Sequence, residues 1–232
     1  MTLIRLNKFL AHCGIASRRK VENLIFSKLV KVNEKIIDKP QTLINPKKDI
    51  IKINNKVIKE EKKYYFILNK PKGYLCSNIR KSNEKLVIDI FKNFSCRLFT
   101  VGRLDKDTTG LLILTNDGDL ANKIIHPSSN LEKEYIALVK ENVTDDHLKK
   151  ISKGAFIEDK FVKPIKVLKI KRKTLKIIVK EGKKREIKVF IKKANLTLLD
   201  LKRVRIGKLK ISSIPYGYYR KVSLNELEKI FK

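Results

Sequence analysis

The chain is short of the residues that staple a fold together. Its three cysteines, Cys13, Cys76 and Cys96, are an odd number at irregular spacing with no Cys-x-x-Cys pair, and His12, His126 and His147 form no ligand pattern with them. Neither a disulfide framework nor a zinc site is supported, and no metal is expected. No run reaches the roughly 18 apolar residues of a membrane span, and no secretory apolar region precedes a small-residue cleavage site, so a cytoplasmic protein without membrane contact is expected. No segment recurs at a fixed period. Acids are the scarcest class relative to their counterpart, 24 Asp and Glu against 55 Lys and Arg, which leaves a formal net charge of +31.

That excess needs an anion. The basic residues run along the whole chain instead of sitting in one tail, so the expected partner is an extended polyanion, most often nucleic acid. Abundant Lys, Ile and Asn also fit an AT-rich genome, so the positions of particular arginines carry more information than the total. At 232 residues with 42% hydrophobic content, the chain can bury one core or two unequal ones. Residues 1 to 21 hold Arg5, Lys8, Arg18, Arg19 and Lys20 and no acid, a faint imitation of an organellar transit peptide. The same residues also read as a folded module.

In that module Leu6, Phe9 and Leu10 recur at helical spacing, Gly14 breaks the pattern, and Ser17 is a candidate N-cap for a second helix whose apolar face is Val21, Leu24 and Ile25. Strand-like KLVKVNEKII and DIIKINNKVI follow. The second helix opens with Arg18, Arg19 and Lys20, although a helix amino terminus favours acids. A basic cluster placed against that preference suggests an outside anion. LNKFLAHCGIASRRKVENLI resembles the S-four RNA-binding domain, from about residue 4 to residue 60. The chain departs from that pattern at Lys28 and Glu34, where glycine is common, which puts the turn geometry in question. Expected boundaries are residues 1–60 for this domain, 61–63 for a polar linker and 64–232 for the remainder.

The larger part reads as strands and loops with few helices. YYFILNK is followed by the turn residues Pro71, Lys72 and Gly73, then by a helical KLVIDIFKNF. RLFTV and LLILT are strand-like, and NDGD gives a tight-turn signal. ANKIIHPSS suits a short helix stopped by Pro127. KEYIALVK alternates as a strand, KPIKVLKIKRKTLKIIVKEG suits a hairpin, Ile187, Phe190 and Ile191 set a helix, and LTLLDLKRVRIGKLKI returns to strand. Few crossover units are visible, so the expected class is α+β on a mixed, mostly antiparallel sheet.

GRLDKDTTGLLILTNDGDL places Asp105, Asp107, Asp117 and Asp119 around one apolar run. Asp117 and Asp119 flank Gly118 after a strand and read as turn formers. Asp105 stands on a loop springing from a strand end, the mounting that active sites favour, although a structural loop acid fits the spacing equally well. Asp107 sits two residues from Asp105 and is followed by Thr108 and Thr109, whose hydroxyls order the loop or are solvated.

KPKGYLCSN, GRLDKDTTGLLILTNDGDL, KEYIAL and EGKKREIKVF occur in the order seen in the RsuA-type pseudouridine synthases, and the resemblance covers nearly the whole chain. It implies an enzyme that detaches uracil from ribose, turns it and rejoins it through carbon 5, without a cofactor. It further implies Asp105 as the catalytic aspartate, Lys188 as its basic partner and Tyr135 as the active-site aromatic, against the competing readings of Lys188 as a snorkelling surface lysine and Tyr135 as a core tyrosine on an alternating strand. Arg185 is a second candidate for the basic partner and the better one for RNA contact. Arg103 would fill the space of a flipped base or hold phosphate, and Leu201 would pack near the site, though ordinary core fits it almost as well. Arg18, Arg19 and Lys20 would anchor RNA. The REI form of the last block leans toward the large-subunit, RluB-like branch, so the expected partner of this monomer is large-subunit ribosomal RNA or a precursor ribosomal particle. Asn195 stands where that pattern has glycine and suits a left-handed helix end. The competing reading is a noncatalytic RNA-binding or ribosome-assembly factor on the same scaffold.

Overall fold

A computed structural model describes residues 3–231. The chain divides into two compact units: Met1–Lys63 with Lys92–Leu98 and Asn116–Gly118, and Tyr64–Phe91 with Phe99–Thr115 and Asp119–Lys232.

In the first unit, helices α1 (Leu6–His12) and α2 (Arg18–Phe26) lie beside a strand pair, β1 (Ile4–Arg5) and β4 (Leu43–Ile44). They also lie beside a four-stranded sheet of order β3-β2-β5-β6, formed by β2 (Val30–Val32), β3 (Lys35–Ile37), β5 (Ile51–Ile53) and β6 (Lys56–Val57). Residues three and four apart share one helix face, and Leu6, Phe9 and Leu10 with Val21 and Ile25 bury that face against Val30, Ile44 and Ile51. The Ser17 hydroxyl accepts the Lys20 amide at 3.3 Å, closing the first turn of α2. Lys28, Asn33 and Glu34 adopt left-handed backbone, with φ of 58°, 50° and 65°. The turns therefore keep the glycine-like geometry without glycine, at a cost on the order of 1 kcal/mol for each ordinary side chain.

The second unit is a nine-stranded sheet, central order β13-β14-β10-β15-β9-β7-β17. Its strands are β7 (Tyr65–Lys70), β8 (Phe99–Val101), β9 (Thr109–Thr115), β10 (Lys133–Val139), β13 (Lys166–Lys171), β14 (Thr174–Val179), β15 (Leu198–Ile206), β16 (Leu209–Lys210) and β17 (Tyr219–Val222), while β11 (Ala155–Ile157) and β12 (Lys160–Val162) form a separate hairpin. Among the described residues every neighbouring pair in this sheet is antiparallel except β9 with β15, which run parallel through Thr109 opposite Lys202 and Gly110 opposite Arg203. At that seam Gly110 has φ +102°, and an added Cβ would meet the Arg203 carbonyl oxygen at 2.2 Å. Only glycine lets the two half-sheets join there. All seven residues of β9 are buried, as a strand covered on both faces requires.

Helices α3 (Gly118–Ile125), α4 (Asp145–Ser152), α5 (Glu186–Lys193) and α6 (Leu224–Glu228) complete the unit. Leu120, Ala121 and Ile124 of α3 pack with Ile67, Leu111 and Ile113 of the sheet. Two local expectations change. KLVIDIFKNF forms only a 3-10 turn, Val87–Phe91, whose start is held by the Asp89 carboxylate accepting the Leu86 amide at 2.8 Å. NDGD does not close a free turn; α3 begins at Gly118, with Asp119 in its first turn where the helix dipole favours an acid. Asn195 takes φ 58° after α5, as a left-handed helix end requires. Among the described residues no helix is long and apolar enough to cross a membrane.

Candidate active site

The loop of residues 102–108 connects β8 to β9 and delivers Asp105 at the seam of the sheet. Its turn is closed by the Thr108 amide donating to the Asp105 carbonyl at 3.1 Å. The segment after β7 packs on it: the Gly73 amide donates to the Lys106 carbonyl at 2.7 Å, and the Leu104 amide to the Cys76 sulfur at 3.4 Å. Two blocks far apart in sequence thus form one platform.

Lys70, the last residue of β7, holds this platform from inside. Its side chain is fully buried, and Nζ donates to the carbonyls of Pro71 (3.0 Å), Asp105 (3.2 Å), Lys106 (3.4 Å) and Thr108 (2.9 Å). Burial pushes its pKa below the ordinary lysine value, opposed by the nearby Cys76, Asp107 and Asp105. A buried ammonium is tolerable because it is surrounded by acceptors, and here the acceptors are the backbone that carries Asp105. Sequence reasoning passed over Lys70; its signal was a lysine ending a strand that opens with four apolar residues, Tyr65–Leu68, just before Pro71.

Lys188, in the first turn of α5, reaches the loop from the other side. Its Nζ lies 2.9 Å from Asp105 Oδ2 and 2.6 Å from Asp107 Oδ1, so one ammonium bridges both carboxylates. For Asp107, burial alone would raise the pKa, but the hydrogen bond and charge of Lys188 outweigh it and hold the carboxyl below its usual range. Sequence reasoning left Asp107 as a loop acid, and only the fold joins it to Lys188. Above the pair opens a cleft of about 540 Å³ lined by Lys72, Gly73, Asp105, Lys106, Asp107, Arg185 and Lys188. Four cations against two aspartates give it a net positive lining, suited to a phosphate-bearing ligand, and its size falls in the range of ordinary ligand sites.

The other residues singled out from sequence are distributed differently. Arg185, with φ 58°, stands at the residue before α5 without a side-chain capping bond, and lines the cleft. Arg103 is exposed two residues before Asp105 and outside that lining. Tyr135 is buried on β10, opposite Ile177 and Arg203, and is not among the residues lining the open cleft. Leu201 is buried on β15, and its carbonyl accepts the Thr109 hydroxyl at 3.3 Å. Beside Tyr135, the buried Arg203 donates through Nε to the Leu111 carbonyl at 2.8 Å while Nη2 has no partner; sequence reasoning missed this cation too. Arg18, Arg19 and Lys20 belong to the first unit and are exposed on the first turn of α2. Glu186 begins α5: Oε2 accepts the Lys183 amide at 3.1 Å, Oε1 has no partner, and burial raises its pKa to about 7. Among the described residues no group of three or more His, Cys, Asp or Glu is arranged to hold a metal ion.

The sequence matches the family model of RNA pseudouridylate synthases over residues 64–193 and that of the S4 domain over residues 4–51. The chain is 40% identical to an uncharacterized RNA pseudouridine synthase of Aquifex aeolicus, covering 100% of this chain and 95% of that one. It is 34% identical to ribosomal large subunit pseudouridine synthase B of Bacillus subtilis, covering 97% and 95%. A solved pseudouridylate synthase superposes with a TM-score of 0.69 at 27% identity, over 98% of this chain and 99% of the other. With the family model spanning more than half of its length and these relatives matching nearly end to end, the chain belongs to the RNA pseudouridylate synthases and carries an S4 domain at its amino end.

Proposed function

We propose that the chain isomerises uridine to pseudouridine in ribosomal RNA, with Asp105 as the catalytic carboxylate, and that its substrate is large-subunit RNA or a precursor ribosomal particle. The observation that carries this reading is the Asp105 carboxylate held by Lys188 at 2.9 Å in an open, cationic cleft. Substrate and product are isomers: the bond from N1 to C1′ breaks, the uracil turns, a bond from C5 to C1′ forms, C5 loses its proton and N1 gains one. The reaction needs no external atom or electron. Loss of the base builds positive charge at C1′, which a carboxylate stabilises, attacks to form an ester, or relieves by taking the 2′ proton.

Lys188 then orients the carboxylate, and Lys70 keeps the loop backbone from shifting under it; a misplacement of about 1 Å costs on the order of 100-fold in rate. In this reading the buried Tyr135 becomes accessible when RNA binds and gives the turned-out uracil an aromatic face with Leu201 packed behind it, Arg103 and Arg185 meet phosphate or the vacated base position, and Arg18, Arg19 and Lys20 anchor structured RNA.

Large-subunit ribosomal RNA tritiated at carbon 5 of its uridines should release label when incubated with the parent chain. Asp105→Asn should bind the RNA with similar affinity and release none. Absence of release from naked RNA and from partly assembled particles would assign the scaffold a binding role without turnover.

A further inference from the structure

We propose that Tyr216 and Tyr218 form an aromatic rim beside the cleft that stacks an unpaired nucleobase of the bound RNA. This deepens the reading of the chain as an RNA-modifying enzyme and rests on it for the identity of the ligand.

Three tyrosines lie close together in IPYGYYR, and they are used differently. Tyr219 lays its ring against other aromatics, 5.6 Å from Phe66 and 4.3 Å from Phe91, and is 37% exposed. Tyr216 and Tyr218 remain 58% and 67% exposed, and core packing does not account for them. Their loop is nevertheless held in place. The Gly217 amide donates to the Asn69 carbonyl at 2.9 Å, the Asn69 amide donates to the Tyr218 carbonyl at 3.0 Å, and the Asn69 side-chain amide donates to the Ile214 carbonyl at 2.9 Å. Asn69 precedes Lys70, so the strand end that anchors the catalytic loop also anchors the tyrosine loop.

The placement of Tyr216 is explicit. Its hydroxyl accepts the backbone amide of Lys72 at 2.6 Å, and Lys72 lines the cleft. The polar end of the ring is thus tied to the cleft wall while much of the side chain stays in water. A tyrosine presented this way loses little conformational entropy on binding, since only two side-chain torsions must be fixed. The chemistry of the neighbours selects the occupant. Lys72, Lys106 and Arg185 attract a phosphate backbone, and a chain of phosphates brings bases whose faces are stacked by exposed aromatic rings. The other exposed aromatic pair, Phe156 and Phe161, differs because its rings already meet each other at 5.2 Å and Lys163 covers Phe161.

Two RNA chains of equal charge separate stacking from electrostatic attraction: dodecauridylate and an abasic ribose-phosphate chain of the same length. Their affinities would be measured by fluorescence anisotropy for the parent, a Tyr216→Leu/Tyr218→Leu double variant and Tyr216→Phe, with thermal melts to establish that all three are folded. The double variant should lose about tenfold or more in affinity for dodecauridylate and nothing for the abasic chain. Tyr216→Phe keeps the ring and should stay within about twofold of the parent. Equal loss on both chains, no loss on either, or a Tyr216→Phe defect as large as that of the leucine variant would overturn the rim. Tritium release by the parent is scored separately. An active parent without base-dependent loss overturns only the rim, and an inactive parent with base-dependent loss retains the rim and removes the isomerase reading.

Discussion

Arg18, Arg19 and Lys20 stand in water on the first turn of α2, whereas Lys70 is sealed inside the second unit and the Lys188 side chain, 16% exposed, bridges two carboxylates. The formal charge is the same in each case and the solvent is not. In water a cation attracts a polyanion from a distance, tolerates replacement by another cation and is screened by salt. Out of water it must be matched by acceptors at bonding distance, so it acts as a positional constraint. A composition this basic therefore mixes cations for attraction with cations for geometry.

The largest effect should come from breaking the geometric class. Lys70→Met leaves the carbonyls of Pro71, Asp105, Lys106 and Thr108 without their buried donor. About 2–4 kcal/mol of stability should be lost in urea melts, with tritium release falling at least in proportion to the loosened loop. Next, Lys188→Met should slow single-turnover pseudouridine formation by roughly 100-fold with little change in RNA affinity. Lys188→Arg should recover most of that rate, because a guanidinium fork can meet both Asp105 and Asp107; a similar deficit in both variants would show that Lys188 does not orient the carboxylate.

A smaller effect is expected from the attraction class. Arg18→Glu with Arg19→Glu should weaken RNA binding about tenfold at low salt and flatten the dependence of log affinity on log salt, with folding unchanged. Unchanged affinity across the salt series would remove these residues from the interface.

A last test, confined to one end of the pH range, sharpens the comparison from the acidic side. Glu186 is raised from 4.5 to about 7 by burial and by Glu181, with Lys133 and Lys183 opposing. The folded state therefore holds a proton that the unfolded state has released, and stability falls as pH rises from about 4.5 through about 7, then levels off. Glu186→Gln should match the parent below that window and exceed it above pH 7 by on the order of 1–3 kcal/mol, read from urea midpoints at both ends. Asp107 is shifted the opposite way by Lys188, so its contribution is present at neutral pH and lost in acid. A Gln variant no more stable than the parent at pH 8 would mean that Glu186 is not held protonated.

Much of this was readable in the chain. Ser17 caps α2, β10 and β14 follow their apolar patterns, Asp105 lies in a loop between two strands, and Asn195 ends α5 in left-handed backbone. Each of these rests on residues within a turn or two of one another. KLVIDIFKNF misled because its helical spacing continues beyond Phe91, where the 3-10 turn ends and, from Lys92 to Leu98, the chain belongs to the other compact unit.

Period, capping and turn chemistry act over a few residues, so the sequence by itself determined α1, α2, α5, strands such as β10 and β14, the basic excess and the order of the blocks around Asp105. The tertiary structure alone decided which side chains meet. Lys70 reaches the Asp105 carbonyl across 35 positions, Lys188 reaches Asp107 across 81, Arg203 reaches Leu111 across 92, and Tyr216 reaches Lys72 across 144. The meetings of Lys188 and Arg203 cross a parallel seam that only Gly110 permits, and that of Lys70 depends on the burial that turns an ordinary lysine into a structural constraint; neither the seam nor the burial has a local signature.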